Sequence, residues 1–216
     1  MKSARIPTVT KCVVFLLLLV FSSTKLLASD VKKSPAPILV VGDSLSAAYN
    51  LAEHQGWVAL LETRLQTDSE HHYPVINASV GGATTAAALQ RLPALLKLHH
   101  PSLVILEMGA NDGLQGKPVD YISSNLEQLI QLCLNANARV VLVGIQLPPN
   151  YGKRYTQPFF AQYAHLAKKY QLALVPFLLE GVAGNPGLMQ EDRLHPTAEA
   201  QPLLLETVWG ILEQEL

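Results

Sequence analysis

The feature that most restricts this chain is an alternation: short apolar runs without polar interruption recur between longer stretches of helical periodicity. Ile38-Leu39-Val40-Val41-Gly42, Leu103–Met108 and Arg139–Ile145 lack the in-out pattern of a half-exposed strand, so both of their faces must be covered. Pro74–Ala78 and Ala173–Pro176 are two shorter runs of the same kind. Between and after them, Gly56–Thr67, Thr84–His99, Val119–Asn135, Phe159–Tyr170 and Ala198–Glu213 carry apolar residues at helical spacing. Pro93 is expected to kink or split the second of these helices. About five strand–helix repeats predict a three-layer α/β/α domain around a parallel sheet of about five strands. Open sheets of that kind bind ligands beyond the carboxyl ends of their strands, so functional residues should fall just after the apolar runs.

Composition narrows the class. A net charge of −1 and a pI near 6.6 do not supply the basic face that gripping nucleic-acid phosphates requires. The first 28 residues stand apart. Lys2, Arg5 and Lys11 precede the apolar run Val13–Phe21, and small residues close the segment at Ala28-Ser29. The run is too short to span a bilayer. Residues 1–28 therefore read as a secretory signal peptide cut after Ala28, with 29–216 as a single domain; an uncut membrane anchor is the other reading. Cys12 lies too early for a lipoprotein cleavage site. Residues 1–29 hold four of the sixteen basic residues and none of the seventeen acidic ones, which leaves an exported chain with a formal charge of −5. Such a surface is not drawn to anionic polymers or anionic membranes. Cys133 is then the sole cysteine, flanked by Leu132 and Leu134, and is expected to be a buried structural thiol. The protein is expected in the periplasm or outside the cell, as a monomer, with no stable membrane insertion after cleavage.

Four loops carry candidate chemistry. Gly42-Asp43-Ser44-Leu45-Ser46 follows the first strand, where a serine presents either a nucleophilic hydroxyl or an ordinary strand-to-helix turn. The hydrolase elbow Gly-x-Ser-x-Gly is absent, since Leu45 and Ser46 follow Ser44. Gly81-Gly82 follows the second strand, where glycines serve a turn or bring a backbone N–H close to a ligand. Asn111, in Gly109-Ala110-Asn111-Asp112-Gly113, either points its amide into the crevice or forms an Asx turn. Asp192-Arg193-Leu194-His195-Pro196 precedes the last helix, as a surface ion pair or as a carboxylate that fixes an imidazole tautomer. Pro196 suits a first helical position, which would set His195 beside the helix's positive end. Taken together, the four supply a nucleophile, a base, its orienting acid and three oxyanion donors: the Ser44 and Gly82 amides and the Asn111 side chain. That set is complete for acyl transfer through a serine ester.

The order Gly-Asp-Ser-Leu, Gly, Gly-x-Asn-Asp, Asp-x-x-His resembles the SGNH (GDSL) hydrolase superfamily. Gly42–Tyr49, Gly109–Gly116, Pro149–Tyr155 and His195–Pro202 are similar to its bacterial multifunctional esterases. The resemblance implies a flavodoxin-like fold and hydrolysis of acyl esters, thioesters or lysophospholipids without cofactor or metal. It implies Ser44, Asp192 and His195 as the catalytic set, with Ser44, Gly82 and Asn111 in the oxyanion hole. It also implies that the loop Asp112–Lys117 closes over the acyl chain, so that Asp112, Gly113, Leu114, Pro149 and Tyr151 are expected to contact substrate. Tyr151 and Tyr155 either line an acyl pocket or pack on it. The chain departs from the family where close relatives read Ser-Gly-Asp-Thr: here Gly81-Gly82-Ala83-Thr84 lacks the acid that would cap the next helix, and Thr84 is the available substitute. Two alternatives are a carbohydrate O-acetylesterase or acyltransferase on the same fold, and a non-catalytic flavodoxin-like binding module. His71-His72 and His99-His100 have no acidic or cysteine company at metal-ligand spacing and are read as solvated helix ends or loop residues. His54 and His165 have no visible partner.

Overall fold

The computed structural model describes residues 35–68 and 72–216. The predicted signal peptide and His71 lie outside the described residues. Five strands form one parallel sheet: β1 (Ile38–Gly42), β2 (Val75–Asn77), β3 (Leu103–Glu107), β4 (Arg139–Val143) and β5 (Ala173–Val175), in the order β2-β1-β3-β4-β5. The runs without polar alternation are the strands covered on both faces. All five residues of β1 and all five of β3 are buried. Among the described residues, six α-helices accompany the sheet: α1 (Trp57–Thr67), α2 (Thr85–His99), α3 (Ala110–Leu114), α4 (Val119–Asn135), α5 (Lys153–Tyr170) and α6 (Gln201–Leu212). α1 packs on α6, while α4 packs between α2 and α5, which gives the three layers their helical faces.

The chain winds outward from β1 to β2, then crosses back to β3. The strand order reverses between β1 and β3, and the crevice opens at their carboxyl ends. Register brings Gly42 of β1 beside Glu107 of β3. Only glycine fits at 42, because a Cβ there would lie 2.7 Å from Glu107 Oε2 and from Ser46 Cβ.

Three local expectations need correction. α2 is not split at Pro93; the helix is continuous from Thr85 to His99 and buries Thr85, Ala88, Leu92 and Leu96 on one side, with Pro93 on the exposed side. α5 starts at Lys153, six residues before the predicted start. Tyr155, Phe159 and Tyr163, spaced four apart, extend its packed stripe toward Gly152, where φ of +80° ends the preceding turn. The final helix does not begin at Pro196. That residue pairs with Met189 in an isolated antiparallel bridge, a 3-10 turn covers Ala198–Ala200, and Pro202 sits in the first turn of α6. Cys133 is buried in the core as expected, and burial pushes its thiol up to about 12.

Candidate active site

The loops after β1, β2 and β3 and the loop before α6 meet at one rim of the sheet. Ser44 Oγ lies 2.8 Å from His195 Nε2, and His195 Nδ1 lies 2.6 Å from Asp192 Oδ2. With Nδ1 protonated and donating to Asp192, the lone pair of Nε2 faces the serine hydroxyl, as a general base requires. The other Asp192 oxygen accepts the backbone N–H groups of Leu194 and His195, at 2.9 and 3.0 Å. Partial burial pushes the Asp192 carboxyl up, but the His195 hydrogen bond and these two amides outweigh it and hold the group below its ordinary value.

The His195 ring is not placed by a helix terminus, as Pro196 had suggested. A short ladder holds its loop instead. Gln190 N–H donates to His195 O at 2.8 Å and Thr197 N–H to Leu188 O at 2.9 Å. The Gln190 side chain then donates to Tyr49 O and Pro196 O, at 3.0 and 2.9 Å, and so ties this loop to the one that carries Ser44. The Tyr49 ring lies 4.2 Å from the His195 ring, tilted by 30°. Neither Gln190 nor Tyr49 was singled out by sequence reasoning. Tyr49 closes the Gly42–Tyr49 block, but nothing in its spacing ties it to a histidine 146 positions away.

Among the described residues, the Ser44 and Gly82 N–H groups have no protein acceptor, and both residues line the crevice. Gly82 has φ of +74°, a conformation that glycine adopts without strain, and the space where a side chain would stand is open. Asn111 also lines the crevice, but its amide is not idle. Nδ2 donates to Asp43 Oδ2 at 3.0 Å and to Ala83 O at 3.1 Å, which commits both hydrogens.

Beneath the serine lies a pair of buried carboxyls. Glu107 Oε2 accepts Asp43 N–H at 3.2 Å and Ser46 Oγ–H at 2.8 Å, and Oε1 has no protein partner. Burial pushes Asp43 up to about 6, against the Leu45 N–H, the His195 ring and the Asn111 amide, which all favour its charge. Burial and the neighbouring Asp43 push Glu107 well above its ordinary value. Burial beside Asp43 thus disfavours charge on Glu107 under the Ser44 turn, a place where two adjacent charges would be costly. No group of three His, Cys, Asp or Glu among the described residues is arranged to hold a metal ion.

The crevice has a volume of about 410 Å³ and is walled by Ile145, Leu147, Pro148 and Leu179. It adjoins a second cavity of about 790 Å³, which shares Leu114, Leu147, Pro148 and Leu179 with it and extends past Pro149 and Tyr151. Of the expected substrate contacts, Leu114, Pro149 and Tyr151 line these cavities. Asp112 and Gly113 do not. The Asp112 side chain is buried against Thr85, because the turn of α3 aims it away from the crevice. Gly113 packs in the core, where a Cβ would lie 2.7 Å from Leu147 and Phe159 side-chain atoms. The expected closing loop begins inside α3 and is tied down at and beyond the end of that helix: the Tyr151 hydroxyl donates to Leu114 O at 3.0 Å and the Tyr155 hydroxyl to Lys117 O. Thr84 does cap α2, accepting from Ala87 N at 3.3 Å. His99 and His100 do end α2, the latter with φ of 44°.

The chain is similar to known proteins along most of its length. The GDSL-like lipase/acylhydrolase family matches residues 40–202. Esterase TesA of Pseudomonas aeruginosa is 51% identical over 176 residues, covering 82% of this chain and 87% of its own. Thioesterase 1/protease 1/lysophospholipase L1 of Escherichia coli K12 is 43% identical over 169 residues, covering 78% of this chain and 79% of its own. The crystal structure of TesA superimposes with a TM-score of 0.81 at 50% identity, over 83% of this chain and 99% of that one.

Proposed function

This chain belongs to the GDSL-like lipase/acylhydrolase family and is a serine-type carboxylic ester hydrolase; from that premise we propose an exported enzyme that removes acyl chains from lysophospholipids and simple esters through an acyl-Ser44 intermediate. The observation that carries the residue roles is the Ser44–His195–Asp192 chain of contacts, at 2.8 and 2.6 Å. His195 Nε2 takes the Ser44 proton as Oγ attacks the ester carbonyl. The imidazolium that forms is stabilised by Asp192, which keeps its own charge. The negative oxygen of the tetrahedral intermediate meets the free N–H groups of Ser44 and Gly82. One Asn111 hydrogen then leaves Ala83 O for it, since a hydrogen bond to a charged acceptor is roughly twice as strong as one to a neutral carbonyl. That exchange favours the transition state over the bound ester, which is the condition for raising kcat. His195 returns its proton to the leaving alcohol or thiol, and the same nitrogen activates the water that frees the fatty acid.

Two features support the substrate reading. The apolar crevice and its adjoining cavity suit an acyl chain rather than a sugar. The basic start and short apolar run of residues 1–28 are those of a secretory leader, which separates the enzyme from cytoplasmic acyl-CoA. The test is a panel of 4-nitrophenyl esters from acetyl to palmitoyl, together with lysophosphatidylcholine. It is run on the fluid released by osmotic shock from cells that express the full chain. Medium-chain and lysophospholipid activity in that fraction, on a protein that starts at Ser29, is expected. Activity confined to acetyl esters, or to the cytoplasm with residues 1–28 retained, would overturn the reading.

A further inference from the structure

Asp112 occupies an odd position for a residue next to the catalytic crevice. Its carboxylate is 1% exposed, and no cation pairs with it among the described residues. All of its visible support comes from one residue, 27 positions away: Oδ2 accepts Thr85 N–H at 2.8 Å and Oδ1 accepts Thr85 Oγ–H at 2.7 Å. The Thr85 hydroxyl in turn accepts Asn125 Nδ2–H from α4, at 2.9 Å. Thr85 is the first residue of α2, so the carboxylate also faces the positive end of that helix. A buried charge held in this way contributes little net stability, and it specifies geometry instead.

The geometry it specifies is that of the oxyanion hole. Gly82 lies three residues before Thr85, and Asn111 immediately precedes Asp112. Two ties therefore join the loop after β2 to the loop after β3: Asp112 to Thr85, and Asn111 Nδ2 to Ala83 O. When Asn111 turns a hydrogen toward the developing oxyanion, the second tie is surrendered at the moment when spacing matters most. The first remains. We propose that Asp112 is a positioning residue for ester hydrolysis, whose clamp on Thr85 holds the Gly82 amide and the Asn111 side chain at a spacing that lets both meet one oxygen. The inference rests on the oxyanion-hole assignment above. It replaces the expectation that Asp112 touches substrate.

The test compares Asp112→Asn, Thr85→Val, Thr85→Ser and the Asp112→Asn/Thr85→Val double variant with wild type on 4-nitrophenyl butyrate. Active sites are counted by the nitrophenolate released from diethyl 4-nitrophenyl phosphate, and thermal melting is measured in parallel. Thr85→Ser keeps both donors and should stay within about twofold of wild type. Asp112→Asn and Thr85→Val should lower kcat per counted site by about ten- to hundredfold, the scale of a small misplacement at a reacting centre. KM should hold within about twofold, and the double variant should be no worse than the poorer single one. A lower melting temperature with kcat per site unchanged would reduce the clamp to a structural role. A raised KM with kcat intact would restore Asp112 as a substrate contact. If Asp112→Asn does not fold, the contrast between Thr85→Val and Thr85→Ser decides alone. Failure of wild type to release one nitrophenolate per chain would count against the serine-enzyme reading instead of the clamp.

Discussion

Asp192 grips the His195 ring with Oδ2 at 2.6 Å and the backbone of its own loop with Oδ1, so a single carboxylate sets both tautomer and loop shape. These two tasks separate on substitution. In Asp192→Asn the amide oxygen can still accept the Leu194 and His195 N–H groups, but its nitrogen now donates to Nδ1. That places the ring proton on Nε2, pointing at Ser44, where a base cannot carry one. Asp192→Asn is therefore expected to lose about 10⁴-fold in kcat, the scale known for that tautomer error. Asp192→Ala, which leaves the ring free to choose, should retain more. Steady-state kinetics on 4-nitrophenyl butyrate would show the order. The account of His195 is wrong if Asn is the milder change.

Gly82 and Gly81 both border the crevice, and only Gly82 has a positive φ, of +74°. Neither would meet a neighbour within 4 Å if given a Cβ. Gly82→Ala should thus fold but relax toward negative φ and turn its N–H away, lowering kcat by about 10²-fold, the lower end for a lost oxyanion donor. Gly81→Ala should stay within a few-fold of wild type. Equal losses at the two positions would contradict the choice of Gly82.

The Tyr49 ring covers one side of the His195 ring, a contact that strengthens when the imidazole becomes cationic. Tyr49→Phe keeps the ring and should be near wild type. Tyr49→Ala should lower kcat by about three- to tenfold, equivalent to roughly 1 kcal/mol. If the phenylalanine variant is as slow as the alanine one, the hydroxyl rather than the stack matters.

Folding stability should depend on pH through Glu107 and Asp43. Both are raised in the folded protein, Asp43 from 3.8 to about 6 and Glu107 well above 4.5. The folded chain then keeps protons that the unfolded chain releases from about pH 4 upward, so their contribution is present below that point and is lost as pH rises. Asp192, held low, acts in the opposite sense: its contribution is present above about pH 4 and lost as pH falls through its depressed folded value. Glu107→Gln preserves the acceptor for Asp43 N–H and Ser46 but has no proton to lose. Urea midpoints from pH 5 to 8 should fall less steeply in this variant than in wild type. Parallel slopes would mean that Glu107 titrates normally.

Sheet and serine were legible in the sequence for one reason: buried parallel strands are written as unbroken apolar runs, and chemistry sits where those runs stop. Ser44, Gly82 and Asn111 each follow such a stop, whereas His195 was legible from its Asp-x-x-His spacing before the last helix. What was not legible depends on side-chain direction within a turn. Nothing in Asn111-Asp112-Gly113 distinguishes a carboxylate aimed at substrate from one aimed at Thr85, and the difference is one step around the short helix α3. Pro196 was misread for a related reason. Proline favours a first helical position, but it equally suits the end of the short ladder with Met189, and the pairing partner lies in a segment without strand-like pattern. At the start of α2 the missing acid at Ala83 has its substitute in Thr84, close by and visible in the sequence; the bond from Thr85 N–H to Asp112, far along the chain, was not.

The central claim is that Ser44 is the group that becomes acylated. Mass analysis of peptides after treatment with diethyl 4-nitrophenyl phosphate tests it most directly, because the reagent leaves a stable phosphoryl group on an activated serine. One diethylphosphoryl group per chain, on the peptide that contains Ser44, is the predicted result, with no label and no esterase activity in Ser44→Ala. A label on another residue, or a Ser44→Ala protein that still cleaves 4-nitrophenyl butyrate at the wild-type rate, would contradict it.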